Sequence, residues 1–234
     1  MVRRLLLWDL DGTLLTTSGL SREAFHAAVS EVLNREIGDS NIRFDGKTDP
    51  MIARELLIEN GVPPEELDGL TKKALRLFGP QTAARRKQML EGGHELPGVR
   101  ELLIKLDEEA VLNTVLTGNL AVNAVLKLDL FKLAQFLDIE VGAYGSDRAA
   151  RSELVGVALE RAKRIRKVSF DDDQVWVIGD TPGDFHSADD NGVHSVLVAT
   201  GRYSYEELAD LKPDLVLHDL CEADLFYDKV MTDK

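Results

Sequence analysis

The most constraining feature of the chain is a short apolar run that ends in two carboxylates. Residues 5–8 read LLLW, and residues 9–13 read DLDGT. A run that is apolar at every position is typical of a strand buried on both faces of a parallel sheet. Ligands of such sheets bind where the strands end, so Asp9 and Asp11 are predicted to lie at a functional edge. The alternative for this stretch alone is a β-hairpin, because Asp11-Gly12 is a strong turn signal.

Helix and strand patterns alternate through the last two thirds of the chain. Amphipathic helical segments separate the apolar runs, which is the pattern of right-handed βαβ crossovers. The predicted strands after the first are residues 111–116, 139–141, 175–178, 193–198 and 215–217. We therefore expect an α/β fold with a Rossmann-like parallel sheet.

A long helical insert is predicted directly after the first strand. Residues 21–90 contain no convincing strand but have repeated 3.6-residue periodicity, with a break expected near Gly79-Pro80. We expect an all-helical cap domain at residues 16–91. The core is then formed by residues 1–15 and 92–234.

The composition of the chain limits the classes of partner that the protein is expected to bind. The net charge of −13 repels phosphate backbones and argues against nucleic acid. A single cysteine, Cys221, excludes an internal disulfide, which fits a reducing cytoplasm. No apolar run approaches the roughly 18 residues of a membrane span. We expect a cytoplasmic protein that contacts neither membrane nor nucleic acid and acts on a small molecule.

Three predicted strands end in polar residues. Asp9 and Asp11 follow the first, Thr117 ends another, and Asp180 and Asp184 follow a third. The carboxyl ends of parallel strands share one edge of the sheet, so these side chains are expected to meet. Converging carboxylates repel one another unless a cation lies among them, and hard oxygen ligands suit Mg²⁺.

At this point the sequence resembles the haloacid dehalogenase superfamily, and within it the helically capped phosphatases similar to phosphoglycolate phosphatase. The motifs that carry the resemblance are DLDGTL at 9–14, TGN at 117–119 and GDTPGD at 179–184. PGV at 97–99 and ATG at 199–201 also fit this subgroup. The resemblance spans nearly the whole chain, and the order of the motifs makes it specific.

The resemblance implies a role for each acidic residue. Asp9 would attack phosphorus and carry the phosphoryl group, while Asp11 would protonate the leaving oxygen and later take a proton from water. Asp9, Asp180 and the backbone carbonyl of Asp11 would hold Mg²⁺. Asp184 would bind the ion directly or orient its waters.

Substrate-binding residues are implied in the TGN motif and in the cap. Thr117 and the amide of Gly118 would hydrogen-bond the phosphoryl oxygens, with Asn119 beside them. Lys47 lies in a polar loop before a cap helix, and in similar phosphatases this loop faces the substrate. Lys47 is therefore a candidate contact for the leaving group.

The sequence departs from the family pattern at one position. Similar proteins carry a Lys, commonly followed by Pro, before the helix that precedes the GDTPGD motif. Here residues 145–152 read GSDRAARS, without that pair. Counting back from the apolar positions of the next helix places Arg148 where the Lys would be, and Arg151 is the alternative.

The leading hypothesis is a Mg²⁺-dependent phosphatase that hydrolyses a small phosphorylated metabolite through an aspartyl-phosphate. Phosphoglycolate is the substrate by analogy. A haloacid dehalogenase is disfavoured, because it needs neither Asp11 as an acid nor a magnesium site. A phosphonatase with Lys47 as its Schiff base, a β-phosphoglucomutase-like enzyme and a non-catalytic phosphate-binding module remain as alternatives.

Overall fold

The computed structural model describes residues 4–107 and 109–232 of the chain. Eight strands are β1 (Arg4–Trp8), β2 (Leu15–Thr16), β3 (His94–Glu95), β4 (Val111–Thr117), β5 (Ala143–Tyr144), β6 (Val175–Gly179), β7 (His194–Val198) and β8 (Leu215–Leu217) in this part of the chain. The α-helices there are α1 (Leu20–Leu33), α2 (Asp49–Glu59), α3 (Pro64–Ala84), α4 (Arg86–Gly92), α5 (Val99–Asp107), α6 (Ala121–Leu130), α7 (Leu154–Arg161), α8 (Pro182–Asp189), α9 (Tyr205–Ala209) and α10 (Ala223–Thr232). Within these ranges, no helix is both long and apolar enough to cross a membrane.

Six strands form one parallel sheet in the order β5-β4-β1-β6-β7-β8. Strand β1 lies between β4 and β6, with Trp8 opposite Val115 on one side and Ile178 on the other. The carboxyl ends of these three strands therefore lie side by side. The predicted α/β fold is confirmed, and the hairpin alternative at Asp11-Gly12 is wrong, because β1 has only parallel neighbours among the described strands.

The four residues 5–8 of β1 are completely buried, since helices cover both faces of the sheet. The ladder continues one residue beyond the strand, where the amide of Asp9 donates to the carbonyl of Ile178 at 2.8 Å. Asp9 is thus held by the backbone of the neighbouring strand at the edge of the sheet.

The insert between β2 and β3 is helical, as predicted. It has its own apolar cluster, in which the rings of Phe25 and Phe78 lie 3.9 Å apart between centroids. Strands β2 and β3 pair antiparallel, so the two chain segments that join the insert to the sheet run side by side. We propose that this pair marks the boundary of a cap domain near residues 16 and 91.

Two local predictions are wrong. Helix α3 continues through Gly79-Pro80 instead of breaking there, because Phe78 and Thr82 on either side are buried and tertiary packing overrides local propensity. The weak strand predicted at 139–141 is a turn, and β5 begins at Ala143 instead. Asn113 and Thr114 hold that turn through hydrogen bonds with the backbone of Asp138.

The insert docks on the sheet through the beginning of α2. The amide of Asp49 donates to the carbonyl of Gly118 (2.8 Å), and its carboxylate accepts from the amide of Leu120 (2.6 Å). The hydroxyl of Thr48 donates to the carbonyl of Ala149 at 2.6 Å. A carboxyl group from the insert therefore caps the N-terminus of α6 by accepting from the amide of Leu120, directly before the helix.

Burial raises the pKa of Asp49 to about 7, although the amide of Leu120 and the charge of Lys127 oppose the shift and Asp11 adds to it. Between the ordinary value of 3.8 and about 7, the folded chain keeps a proton that the unfolded chain has released. The free energy of unfolding therefore decreases as pH rises through this window.

We predict that Asp49→Asn weakens this pH dependence. Asparagine does not titrate and keeps an oxygen acceptor for Leu120. From pH 5 to pH 7 the wild type should lose up to about 1.4 kcal/mol per pH unit more than the variant. Urea unfolding in the presence of chelator measures the difference. Parallel stability curves would contradict the assigned protonation of Asp49.

Candidate active site

Three buried carboxylates meet at the edge of the sheet. Asp9 follows β1, Asp180 follows β6, and Asp184 lies in the first turn of α8. One oxygen of each lies within 4.8 Å of the others, and all three residues are buried. The sheet topology accounts for this meeting, because β1 and β6 are adjacent and parallel.

Arg151 provides the positive charge closest to this cluster. Its Nη2 lies 2.5 Å from Oδ1 of Asp184 and 2.9 Å from Oδ1 of Asp9, and its side chain is only 8% exposed. Arg148 lies outside the pocket, with its side chain 55% exposed and its nearest carboxylate, that of Glu153, 3.7 Å away. Of the two arginines, Arg151 is therefore the one that contacts the acidic cluster, although the sequence pattern favours Arg148.

The cluster carries more negative charge than Arg151 balances. Burial raises the pKa of Asp9 to about 6, with Arg151 opposing the shift and Asp184 adding to it. The pKa of Asp180 rises well above its usual range, because the residue is buried and lies near Asp9 and Asp184. Burial disfavours the charge of Arg151, but Asp184 and Asp9 outweigh that effect and raise its pKa. An added cation would relieve the repulsion.

The donor set fits a hard divalent cation. Asp180 is held on one side by Thr13, whose hydroxyl donates to Oδ1 at 3.1 Å. Its other oxygen, Oδ2, lies against two glycines: a Cβ at Gly12 would lie 2.4 Å from it and one at Gly201 only 1.7 Å. These glycines let the carboxylate sit where a side chain would displace it. Buried, clustered carboxylate oxygens are the ligands that Mg²⁺ prefers.

Asp184 is occupied by protein donors. Oδ2 accepts from the amide (3.1 Å) and hydroxyl (2.7 Å) of Thr181, and Oδ1 accepts from Arg151. The Thr181 contacts form a capping box at the start of α8. Asp184 therefore fixes both the GDTPGD loop and the guanidinium of Arg151.

A second network surrounds Asp11, beside the acidic cluster. Lys127 on α6 donates from Nζ to Oδ2 of Asp11 (2.5 Å) and to Oδ1 of Asn119 (2.7 Å). Nδ2 of Asn119 donates to Oδ2 of Asp11 (2.9 Å) and to Oγ1 of Thr117 (3.1 Å). The side-chain amide of Asn119 is thus directed at protein groups.

Lys127 was not predicted as a site residue. Its side chain is 1% exposed, although it is a lysine on a short helix. The available signal is its position: it follows the buried Ala124 by three residues, so it lies on the buried face of the predicted helix. A charged residue on such a face needs a partner, but the partner cannot be read from the periodicity.

Lys47 and Gly118 meet where the insert covers the sheet. A Cβ at Gly118 would lie 2.0 Å from the carbonyl oxygen of Lys47, so only glycine allows this approach. Lys47 lines the pocket, and its ammonium pairs with Glu55 at 2.5 Å.

The pocket at this edge has a volume of about 280 Å³ and is lined by residues of both the sheet edge and the insert. The insert contributes Phe25, Phe44 and Phe78 as an apolar wall, together with Arg22. Nη2 of Arg22 donates to the carbonyl of Ile42 (3.0 Å), and its guanidinium carbon lies 4.0 Å from the centroid of the Phe44 ring. In residues 4–107 and 109–232, Arg22 forms no ion pair with a carboxylate.

Comparisons with known proteins agree with this geometry. A protein of Caldanaerobacter subterraneus subsp. tengcongensis described as a candidate pyrophosphatase, PpaX, is 27% identical over 92% of this chain and 90% of its own. The crystal structure of a predicted phosphatase from Clostridium acetobutylicum has a TM-score of 0.73 at 20% identity, with complete coverage of both chains.

A predicted phosphoglycolate phosphatase from Haemophilus somnus 129PT has a TM-score of 0.70 at 16% identity, covering 97% of this chain and 98% of its own. These two crystal structures share the fold. The model of the haloacid dehalogenase-like hydrolases matches residues 6–198, most of the chain, and includes all three motifs of the sequence analysis. The chain therefore belongs to the haloacid dehalogenase-like hydrolase family.

Proposed function

We propose that this hydrolase is a Mg²⁺-dependent phosphatase that acts on a small phosphorylated metabolite through an aspartyl-phosphate at Asp9. The observation that carries the proposal is the buried cluster of Asp9, Asp180 and Asp184, with Asp11 beside it at the pocket. A carboxylate nucleophile, a cation site and a second carboxyl group at one pocket are the parts that this reaction needs.

Arg151 holds Oδ1 of Asp9, so the direction of the nucleophile is set before substrate binds. Oδ2 of Asp9 attacks phosphorus, and the ester oxygen departs with a proton from Asp11. Water then attacks the aspartyl-phosphate and gives its proton to Asp11, which releases inorganic phosphate and restores Asp9.

Thr117 and Gly118 are assigned to the phosphoryl oxygens. Oγ1 of Thr117 accepts from Asn119, so its own hydrogen remains available for donation into the pocket. Such donors stabilise the charge that develops on the transferred group.

Asp9, Asp180 and the backbone carbonyl of Asp11 would hold Mg²⁺. When bound, the ion would neutralise the carboxylates and attract the phosphoryl oxygens. Asp184 would act mainly by positioning Arg151, because its two oxygens already accept hydrogen bonds from Arg151 and Thr181.

The leaving group is proposed to carry a negative charge of its own. Arg22 faces the pocket from the insert, is held against Phe44, and has donors left after its bond to Ile42. A carboxylate suits a planar guanidinium. Phosphoglycolate, whose leaving group is glycolate, meets this requirement, and the Haemophilus somnus protein that shares the fold is described as a predicted phosphoglycolate phosphatase.

Pyrophosphate is the second candidate substrate. Its leaving group, inorganic phosphate, is also an anion, and the Caldanaerobacter relative is described as a candidate pyrophosphatase. A β-phosphoglucomutase-like activity would instead pass the phosphoryl group from Asp9 to a sugar phosphate. A phosphonatase that uses Lys47 as its Schiff base is disfavoured, because Lys47 forms an ion pair with Glu55.

The central test is release of inorganic phosphate from p-nitrophenyl phosphate, phosphoglycolate and pyrophosphate, with Mg²⁺ and with chelator. We expect Mg²⁺-dependent turnover that Asp9→Asn lowers by at least about a thousandfold, because the amide is not a nucleophile. Asp172→Asn, on an exposed loop, is the control. Absence of turnover with every ester and metal concentration would contradict the phosphatase proposal and favour a mutase or a binding module.

Two neighbouring arginines provide a matched comparison. Arg151→Met should lower kcat for p-nitrophenyl phosphate by roughly a hundredfold or more, since Asp9 loses its orienting charge. Arg148→Met should leave kcat within about twofold, because its exposed side chain is remote from the pocket. Equal effects of the two substitutions would refute the assignment to Arg151. Circular dichroism of each variant controls for folding.

Arg22→Met should discriminate between leaving groups. We expect kcat/KM for phosphoglycolate to fall about tenfold or more relative to that for ethyl phosphate, because a hydrogen bond to a charged group contributes about 1.5–3 kcal/mol. Arg54→Met, on the outer face of α2 and paired with Asp68, is the control. An unchanged ratio of the two kcat/KM values would exclude Arg22 as the anion contact.

A further inference from the structure

Lys127 adds to the network of Asp11 and Asn119 a residue that lies outside the family motifs. Lys127 reaches Asp11 from α6, whereas Asn119 reaches it from the loop after β4. The bond from Lys127 to Asn119 closes a triangle of hydrogen bonds. Because a lysine only donates, its bond to Oδ1 of Asn119 fixes which way the side-chain amide of Asn119 points.

The two oxygens of Asp11 are made unequal by this triangle. Oδ2 accepts from both Lys127 and Asn119. Oδ1 accepts no hydrogen bond from any residue within 4–107 and 109–232, and Asp11 lines the pocket with 37% of its side chain exposed. One oxygen is therefore anchored, and the other is left free to exchange a proton with a bound molecule.

Stability alone does not explain a lysine at this place. Burying an ammonium group costs several kcal/mol, and apolar replacements of buried ion pairs are often neutral or stabilising. Asp11 is partly exposed and would be solvated without its partner. A second carboxylate, that of Asp49 in the insert, also lies within the electrostatic reach of Lys127. The ammonium thus lies where an acid of the pocket and an acid of the insert meet.

We infer that Lys127 and Asn119 are positioning residues that anchor Oδ2 of Asp11, so that Oδ1 is directed at the oxygen of the leaving group. The inference rests on the proposed phosphatase function. Both residues act through Asp11, and Asn119 also donates to Oγ1 of Thr117. Loss of the anchor should therefore impair only those steps in which Asp11 transfers a proton.

Two esters separate this role from a general defect. The p-nitrophenolate ion leaves phosphorus without a proton, whereas the alkoxide of ethyl phosphate needs one. Since kcat/KM reports events up to the loss of the leaving group, only the alkyl ester depends there on Asp11. We expect Lys127→Met to lower kcat/KM for ethyl phosphate about tenfold or more beyond its effect on p-nitrophenyl phosphate.

A change in both kcat and KM for p-nitrophenyl phosphate should accompany this difference between the two esters. With p-nitrophenyl phosphate, kcat and KM of Lys127→Met should fall together, because hydrolysis of the aspartyl-phosphate still needs Asp11 as a base. Asp11→Asn should show the same selectivity for leaving groups, more strongly. Lys72→Met, exposed on α3, is the matched control and should change neither ester.

Asn119→Ala removes the second anchor and provides an independent test if Lys127→Met fails to fold. It should give the same ester selectivity at a smaller magnitude, since Lys127 still holds Oδ2. Loss of the bond from Asn119 to Thr117 should lower kcat/KM equally for both esters, so the selectivity is measured as the ratio of the two kcat/KM values. Equal losses of kcat/KM for both esters, or no loss, in whichever of the two variants folds would overturn the inference. Failure of the wild type to hydrolyse either ester would instead contradict the phosphatase proposal itself.

Discussion

The contact of one guanidinium with two buried carboxylates is the interaction on which the site depends. Arg151 lies between Asp9 and Asp184, and Asp180 completes a cluster with three negative groups and one positive group. Burial of such a cluster disfavours the ionised form of its carboxyl groups, and the pKa values of Asp9 and Asp180 are therefore raised. The same imbalance would favour a bound cation among these carboxylates.

The parallel sheet makes this concentration of charge feasible. Adjacent strands β1 and β6 deliver Asp9 and Asp180 to one edge, while α8 begins there with Asp184. Small residues then allow close approach: Gly12 and Gly201 lie against Asp180, where any side chain would collide with the carboxylate. The clustered carboxylates therefore require small residues beside them at this edge of the sheet.

The helical insert completes the site from outside the sheet. Asp49 caps α6 while its amide bonds Gly118, so the cap and the TGN motif are held by the same few hydrogen bonds. Lys127, on the helix that Asp49 caps, contacts Asp11. Hydrogen bonds at the two ends of α6 thus connect the insert to Asp11, the proposed acid.

The sequence by itself determined the fold class, the helical insert and the family, because buried strands and short motifs are local patterns whose order is specific. It also indicated which acidic residues follow β1 and β6. Local patterns gave wrong predictions where long-range packing determines the structure. Helix α3 passes through Pro80, and β5 begins at Ala143 rather than at Ile139. Only the tertiary structure determined which basic side chains contact the acidic residues of the site. Arg148 and Arg151 are three residues apart in one loop, and Lys127 lies 116 residues from Asp11. Which long side chain reaches a buried carboxylate depends on how helices pack against the sheet, and no periodicity in the chain encodes that distance.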